Sequence, residues 1–419
     1  MPKNIFYAQS GGPTTVINAT ACALIEAARA YPDYFGKVYA GVNGILGALQ
    51  EELIDTSFES AEDIEALKYT PASAFGSCRY KLKNFEQDPS EYERLIEVFR
   101  AHDIGYFFYN GGGDSQDTTL KISKVAQKLN YPLVCIGLPK TIDNDLPGTH
   151  CSPGFGSVAK YVAISTHEAS LDVMAMAATS TKVFILEVMG RHAGWIAAAS
   201  GLIAAEADDP PQIILFPEVA FDQPRFLAKV QEVVERIGYC VIVVSEGIRH
   251  TDGSFLTDSG LMKDAFGHVQ LGGVAPILAH LIKRHLGYKY HWALADYLQR
   301  SARHISSQTD FDHACAIGKA AIEYVLAGKR DVMLTIEARE GSKNNWAIGT
   351  IPLAEVANRE VKLPRHYIAA DGMHITEECK NYLRPLIHGE SYPPYNQGLP
   401  QYIRLKNHRV PKKLLDFTI

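Results

Sequence analysis

Short apolar runs, each closed by glycine or polar residues, recur along the chain with longer helical stretches between them. Ile5–Ala8, Lys37–Val42, Tyr106–Tyr109, Pro132–Gly137, Lys182–Val188, Ile213–Phe216, Cys240–Val244 and Val332–Ile336 are too short for helices and predict buried strands. Helices are predicted over Val16–Tyr31 (stopped by Pro32), about Thr118–Asn130, Pro153 to about Ala178, Gln223–Ile237 and Asp310–Gly328. Strands alternating with helices imply the α/β class, with doubly wound parallel sheets. From Glu337 onward the pattern fades into a Pro- and Tyr-rich tail, loop-like over His388–Tyr395. The sequence leaves open whether this tail covers a site or builds a subunit interface.

Composition narrows the function classes. A chain of 419 residues with 47% hydrophobic and 21% charged residues is an ordinary globular protein of two or three domains. A formal charge of −6 without a Lys/Arg block argues against nucleic-acid and membrane-surface binding. Seven scattered cysteines with no CxxC spacing predict free thiols, not a disulfide framework or a zinc site. No apolar stretch reaches membrane-spanning length, and Met1–Tyr7 runs straight into a strand with no signal peptide, so the expected compartment is the cytoplasm. An acidic chain that handles anionic substrates must concentrate its cations locally.

The strand ends carry the candidate chemistry, where open α/β sheets place ligands. The run Leu138–Pro147 follows a strand and holds Asp143 and Asp145 around Asn144, with Lys140 ahead and prolines on both sides. A salt-bridged corner is the bland reading of such a cluster. Gln9–Thr15 contains Gly11-Gly12 ahead of a helix, an arrangement that binds anions through backbone N–H groups and the helix dipole. Asn110–Asp117 contains Gly111, Gly112 and Gly113, which let the backbone approach a ligand, and Ser115 or Asp117 as helix cap. Residues 71–83 form a loop with Arg79, Lys81 and Lys83.

Pro139–Asp145, PKTIDND, resembles the catalytic loop of the phosphofructokinase family in the form carried by its pyrophosphate-dependent members. ATP-dependent members have Gly where this chain has Lys140. Other segments resemble the family in the same order: Gly11-Gly12 with Asn18, the Gly44–Gly47 turn, and Gly76-Ser77-Cys78-Arg79. They continue with Met189-Gly190-Arg191, Glu246, and Tyr297-Leu298-Gln299-Arg300. Gly267–Gly273 is a weaker match to the last of these, because Leu271 stands where Arg is needed. In the glycine loop, Gly113 replaces the family's first Asp, and Asp114 keeps the second, as in pyrophosphate users. Lys182 and His291 stand where Arg is common, so Lys182 and Lys289 are expected to support the sugar's 6-phosphate. The resemblance covers roughly residues 3 to 336.

The resemblance implies two doubly wound domains with the active site in the cleft. Residues 1–157, completed by about 299–355, would hold the donor, and 158–298 the sugar phosphate, leaving 356–419 as an extension. The implied reaction moves a phosphoryl group from pyrophosphate to the 1-hydroxyl of fructose 6-phosphate with Mg²⁺. Implied roles are Asp143 as base, with Lys140, Asp114 and Arg191 completing the catalytic group. Gly11 (through its backbone N–H), Arg79 and Lys140 would hold pyrophosphate, and Asp145 and Asp114 the metal. Thr141, Ile142, Asp143, Met189, Gly190, Arg191, Glu246, Tyr297 and Arg300 would bind the sugar phosphate. A homo-oligomer, dimer or tetramer, is expected. The alternatives are an ATP-dependent phosphofructokinase, which Lys140 and Asp114 oppose, and a non-catalytic sugar-phosphate sensor, favoured only by Gly113.

Overall fold

The computed structural model describes residues 2–257, 272–339 and 345–419. Strands β1 (Lys3–Gln9), β2 (Phe35–Gly41), β3 (Leu53–Asp55), β4 (Ile104–Gly111) and β5 (Val134–Pro139) come from the first third of the chain. The middle supplies β6 (Val183–Val188), β7 (Ile213–Leu215), β8 (Cys240–Ser245) and β9 (Tyr290–Leu294), followed by β10 (Val332–Ala338) and β11 (Trp346–Pro352). One sheet has the order β11-β10-β5-β4-β1-β2-β3, and a second has β7-β8-β6-β9. The second is parallel throughout, while the first is parallel except for its edges, β3 against β2 and β11 against β10.

Side-chain alternation explains why the runs are apolar. On β1 and β4, Phe6, Phe107 and Tyr109 point into one buried cluster while Ile5, Tyr7 and Phe108 point into another. A parallel strand covered on both faces has no polar side to show. The structure also departs from the predicted pattern. Helix Gly113–Lys128 begins in the glycine run, ahead of Thr118, and Ile17, not Val16, opens the first helix. Strand β9 lies inside a segment read only for its phosphate-binding residues. Strand β11 lies in the tail read as aperiodic, where exposure along an edge strand blurs the alternation.

The tail is structural. Residues 353–363 cross the cleft, and Cys379, Leu383 and Leu386 enter the largest apolar cluster. His408 and Val410 then bond back to Asp55 and Leu53 beside β3.

Between the sheets, helix Phe155–Met176 is fastened at its start to helix Gln308–Leu326. The buried Asp310 carboxylate accepts from Gly154 N (2.8 Å), Ser157 N (3.0 Å) and Ser157 Oγ (2.6 Å). Replacing it with Ala strands buried N–H groups, each costing about 1–3 kcal/mol. Asp310→Ala should therefore lower Tm by several degrees in scanning calorimetry, and Asp310→Asn, which keeps one acceptor, by less. An unchanged Tm in the Ala variant contradicts this role.

Candidate active site

The C-terminal ends of β1, β4 and β5 face those of β6 and β8 across a cleft of about 1250 Å³. Its centre is the loop after β5. Asn144 adopts φ +54°, a left-handed conformation that Asn tolerates better than most residues. Its Nδ2 donates to Tyr382 Oη (2.8 Å), and its Oδ1 accepts from Ser152 N (3.0 Å). The reversal at Asn144 leaves the carboxylates on either side of it, Asp143 and Asp145, in the cleft. Thr141 Oγ1 accepts from Asp143 N at 3.1 Å, and Ile142 packs in the core.

Cations gather on the donor side. Lys140 is buried, and its Nζ donates to Gly12 O at 2.8 Å. It also lies 3.3 Å from where a side chain on Gly11 would begin, a tight approach at a residue whose φ of +73° already strains any side chain. Burial, then the charges of Arg300 and Arg79, push its pKa down to about 7 against the pull of Asp143 and Asp145. Arg79 and Arg300 line the same cleft, Arg300 stacked on the Tyr297 ring with 3.9 Å from Cζ to the centroid.

Acids face them. Burial, and then the neighbouring Asp145 charge, raise the Asp143 pKa well above the carboxylate range. Asp145 is raised by burial and by Glu360. Asp145 Oδ1 is buried with no hydrogen-bond partner among the described residues. Asp114 lines the cleft from the first turn of helix Gly113–Lys128, where its charge suits the helix dipole. That helix has Gly112 as its N-cap with no side-chain cap, which leaves first-turn N–H groups available to an anion.

On the opposite wall lie Met189, Arg191 and Glu246. Gly190 does not line the cleft. At φ +126°, a side chain there would meet Ala193 O at 2.7 Å, so it shapes the turn that presents its neighbours. Burial raises Glu246 to about 7 in spite of nearby Arg191. Met189 N donates to Gln299 Oε1 at 3.3 Å, which ties the Tyr297–Arg300 turn to this wall.

Several expectations need correction. Gly11 lines the cleft, but its N–H already donates to Cys78 O at 3.1 Å beside the Ser10–Cys78 bridge. The helix after this turn begins at Ile17, and Thr14–Asn18 are buried, so its dipole does not open into the cleft. The available helix N-terminus is that of Gly113–Lys128. Arg300, expected at the sugar phosphate, also reaches the donor side, since its Nη1 lies where a Gly12 side chain would start. Lys182 donates to Ala177 O and Lys289 to Ser180 Oγ at the opposite end of β6. At ~3.3 Å per residue they are roughly 20 Å from Met189 along the strand, out of reach of this chain's own cleft. The weaker match at 267–271 lies outside the described residues.

Sequence reasoning missed Asn358, Arg359 and Glu360, which line the cleft from the tail. Only the local excess of charge at Arg359-Glu360 and Lys362 marks them, and nothing in the sequence places them beside the catalytic loop.

Residues 4–325 match the family model described as phosphofructokinase. A Methylococcus capsulatus protein named pyrophosphate–fructose 6-phosphate 1-phosphotransferase is 63% identical over 98% of both chains. One of that name from Halomonas elongata is 61% identical over 99% of both. The crystal structure of a pyrophosphate-dependent phosphofructokinase from Marinobacter aquaeolei superposes with a TM-score of 0.91 at 58% identity, covering all of both chains. With the fold, the order of the motifs and these likenesses in agreement, the chain belongs to the phosphofructokinase family.

Proposed function

We propose that this enzyme transfers a phosphoryl group from pyrophosphate to the 1-hydroxyl of fructose 6-phosphate, giving fructose 1,6-bisphosphate and phosphate. The observation that carries the reading is the buried Lys140 ammonium at the Gly11-Gly12 turn, in the same cleft as Asp143. Relatives about 60% identical over nearly the whole chain carry the name of this reaction.

Asp143 takes the hydroxyl proton as the sugar oxygen bonds to phosphorus, and the bridging oxygen leaves with the second phosphate. A base whose pKa is raised toward neutrality is matched to that task. Lys140, Arg79 and Arg300 neutralise the donor and the charge on its leaving group. Arg191 faces the transferred group, Met189 and Glu246 hold the sugar, and Tyr297 and Arg300 take its phosphate. Microscopic reversibility lets the same groups run the reverse reaction.

The acids suit Mg²⁺ that arrives on the donor. Asp145 Oδ1 lacks a partner, yet among the described residues no group of three His, Cys, Asp or Glu is set to hold a bare ion. Asp145 and Asp114 would hold Mg²⁺, which would supply charge neutralisation on the phosphates while keeping waters in its shell.

Residues 1–157 with about 299–355 would form the donor side and 158–298 the sugar side, in line with the strand membership of the two sheets. No helix among the described residues is long and apolar enough to cross a membrane, and a cytoplasmic setting fits the free cysteines. Exposed Leu171, Met174, Met176, Trp292 and Leu294 near β6 and β9 support a homo-oligomer.

A coupled assay offering pyrophosphate and ATP separately tests the donor. Turnover with pyrophosphate and little with ATP is expected, and preference for ATP overturns the reading. Asp143→Asn should cut kcat about 10²- to 10⁴-fold with little change in KM. A loss below tenfold shifts the role of base to Asp145.

Arg300→Ala should raise KM for both pyrophosphate and fructose 6-phosphate, since its guanidinium sits between the two subsites. A change confined to the sugar phosphate contradicts the placement against Gly12.

A further inference from the structure

We propose that the segment Asn358–Leu363 is the wall that restricts the donor to an inorganic diphosphate, and that Arg359 on it binds a donor phosphate. This rests on the reading of the donor given above.

The segment is pinned on both sides of the cleft. On the donor side Asn358 Nδ2 donates to Asp117 Oδ1 (2.9 Å), and Val361 N donates to Asp145 O (2.8 Å). On the opposite side Glu360 Oε2 pairs with His192 Nδ1 (2.9 Å), and Leu363 N donates to Glu218 Oε1 (2.9 Å). Glu218 Oε1 also accepts from Gly194 N at 2.9 Å, in the turn that carries Arg191. The segment is therefore held open to the cleft by contacts on both walls.

Its backbone lies against the glycine loop. A side chain begun at Gly113 would meet Arg359 O at 3.9 Å, ordinary van der Waals distance, with nothing nearer. Asn358, Arg359 and Glu360 thus face Gly112, Gly113 and Asp114 across the same space. The first-turn N–H groups of helix Gly113–Lys128 open into that space and suit one phosphate of the donor. A substituent on that phosphate would leave it toward the segment. On a donor lying between this wall and Lys140, a ribose on the outer phosphate would meet backbone that is tied down at both ends.

Arg359 adds attraction to this steric limit. Its side chain is exposed at the mouth of the cleft and makes no hydrogen bond or ion pair among the described residues. Arg359 N donates to Val356 O at 3.1 Å, which fixes the main chain and leaves the guanidinium able to turn inward. A fork of donors in that position matches a phosphate's oxygens.

The test uses the full-length enzyme and methylenediphosphonate with Mg²⁺, a donor mimic that cannot be cleaved. Arg359→Ala should weaken its binding on the order of 10- to 100-fold in calorimetry, with Arg359→Lys in between, and leave KM for fructose 6-phosphate unchanged. Asn358→Ala, which frees the wall without touching the cation, should lower the ratio of kcat/KM for pyrophosphate to that for tripolyphosphate at least tenfold. Circular dichroism and Tm verify that all three variants fold. Wild-type affinity for the diphosphonate in Arg359→Ala overturns the phosphate role, and an unchanged donor ratio in Asn358→Ala overturns the wall. A wild-type enzyme that ignores pyrophosphate and uses ATP instead defeats the function reading itself, a separate result.

Discussion

The site depends on one buried ammonium. Lys140 is surrounded by protein, donates to the Gly12 carbonyl at 2.8 Å, and has Arg79 and Arg300 as like-charged neighbours. Taking such a charge out of water costs several kcal/mol even after relaxation. Asp143 and Asp145 return part of that, at the cost of having their own pKa values raised, Asp143 by burial and the Asp145 charge, Asp145 by burial and the Glu360 charge. The free enzyme therefore holds groups whose charged forms none of its own partners fully stabilises. A small, highly charged donor would satisfy the cations, and the metal proposed to arrive with it would satisfy the acids. This accounts for a chain of net charge −6 collecting cations at one point.

The rest of the fold holds that arrangement in place. Parallel strands covered on both faces deliver the loop ends to one cleft, and Asn144 turns the chain so that its two aspartates stay in the cleft. Asp310 fixes the helix that follows. The tail crosses between the walls and lies beside the catalytic loop, with Val361 N donating to Asp145 O.

Much of this was legible in the sequence, and the reasons are local. The strands ending at Gln9, Gly111, Pro139 and Val188 are short apolar runs with glycine or charge behind them, and period and composition suffice to place them. Asp143, Asp145 and Lys140 are a dense cluster in one loop. What was not legible depends on contacts between distant segments. Gly11 N is taken by Cys78 O through a bridge between loops that no local pattern encodes. Arg300 reaches Gly12 only because a turn 288 residues later in sequence folds over it, by the difference of their numbers. Lys182 and Lys289 match motif positions, yet strand direction puts them at the wrong end of β6. The segment at Asn358–Glu360 has neither periodicity nor motif, and its place follows from tertiary hydrogen bonds alone.

The central claim is that donor binding satisfies an ammonium the free enzyme leaves depressed. At pH 8, a Lys140 with a pKa near 7 is mostly neutral, so binding an anion beside it must draw in a proton. Calorimetry of methylenediphosphonate binding in two buffers of different ionisation enthalpy measures that proton. Lys140→Arg, charged at any accessible pH, serves as the reference because the ligand's own protonation is common to both. The account predicts that the wild-type enzyme takes up most of one proton more than Lys140→Arg. Equal proton uptake by the two would contradict it.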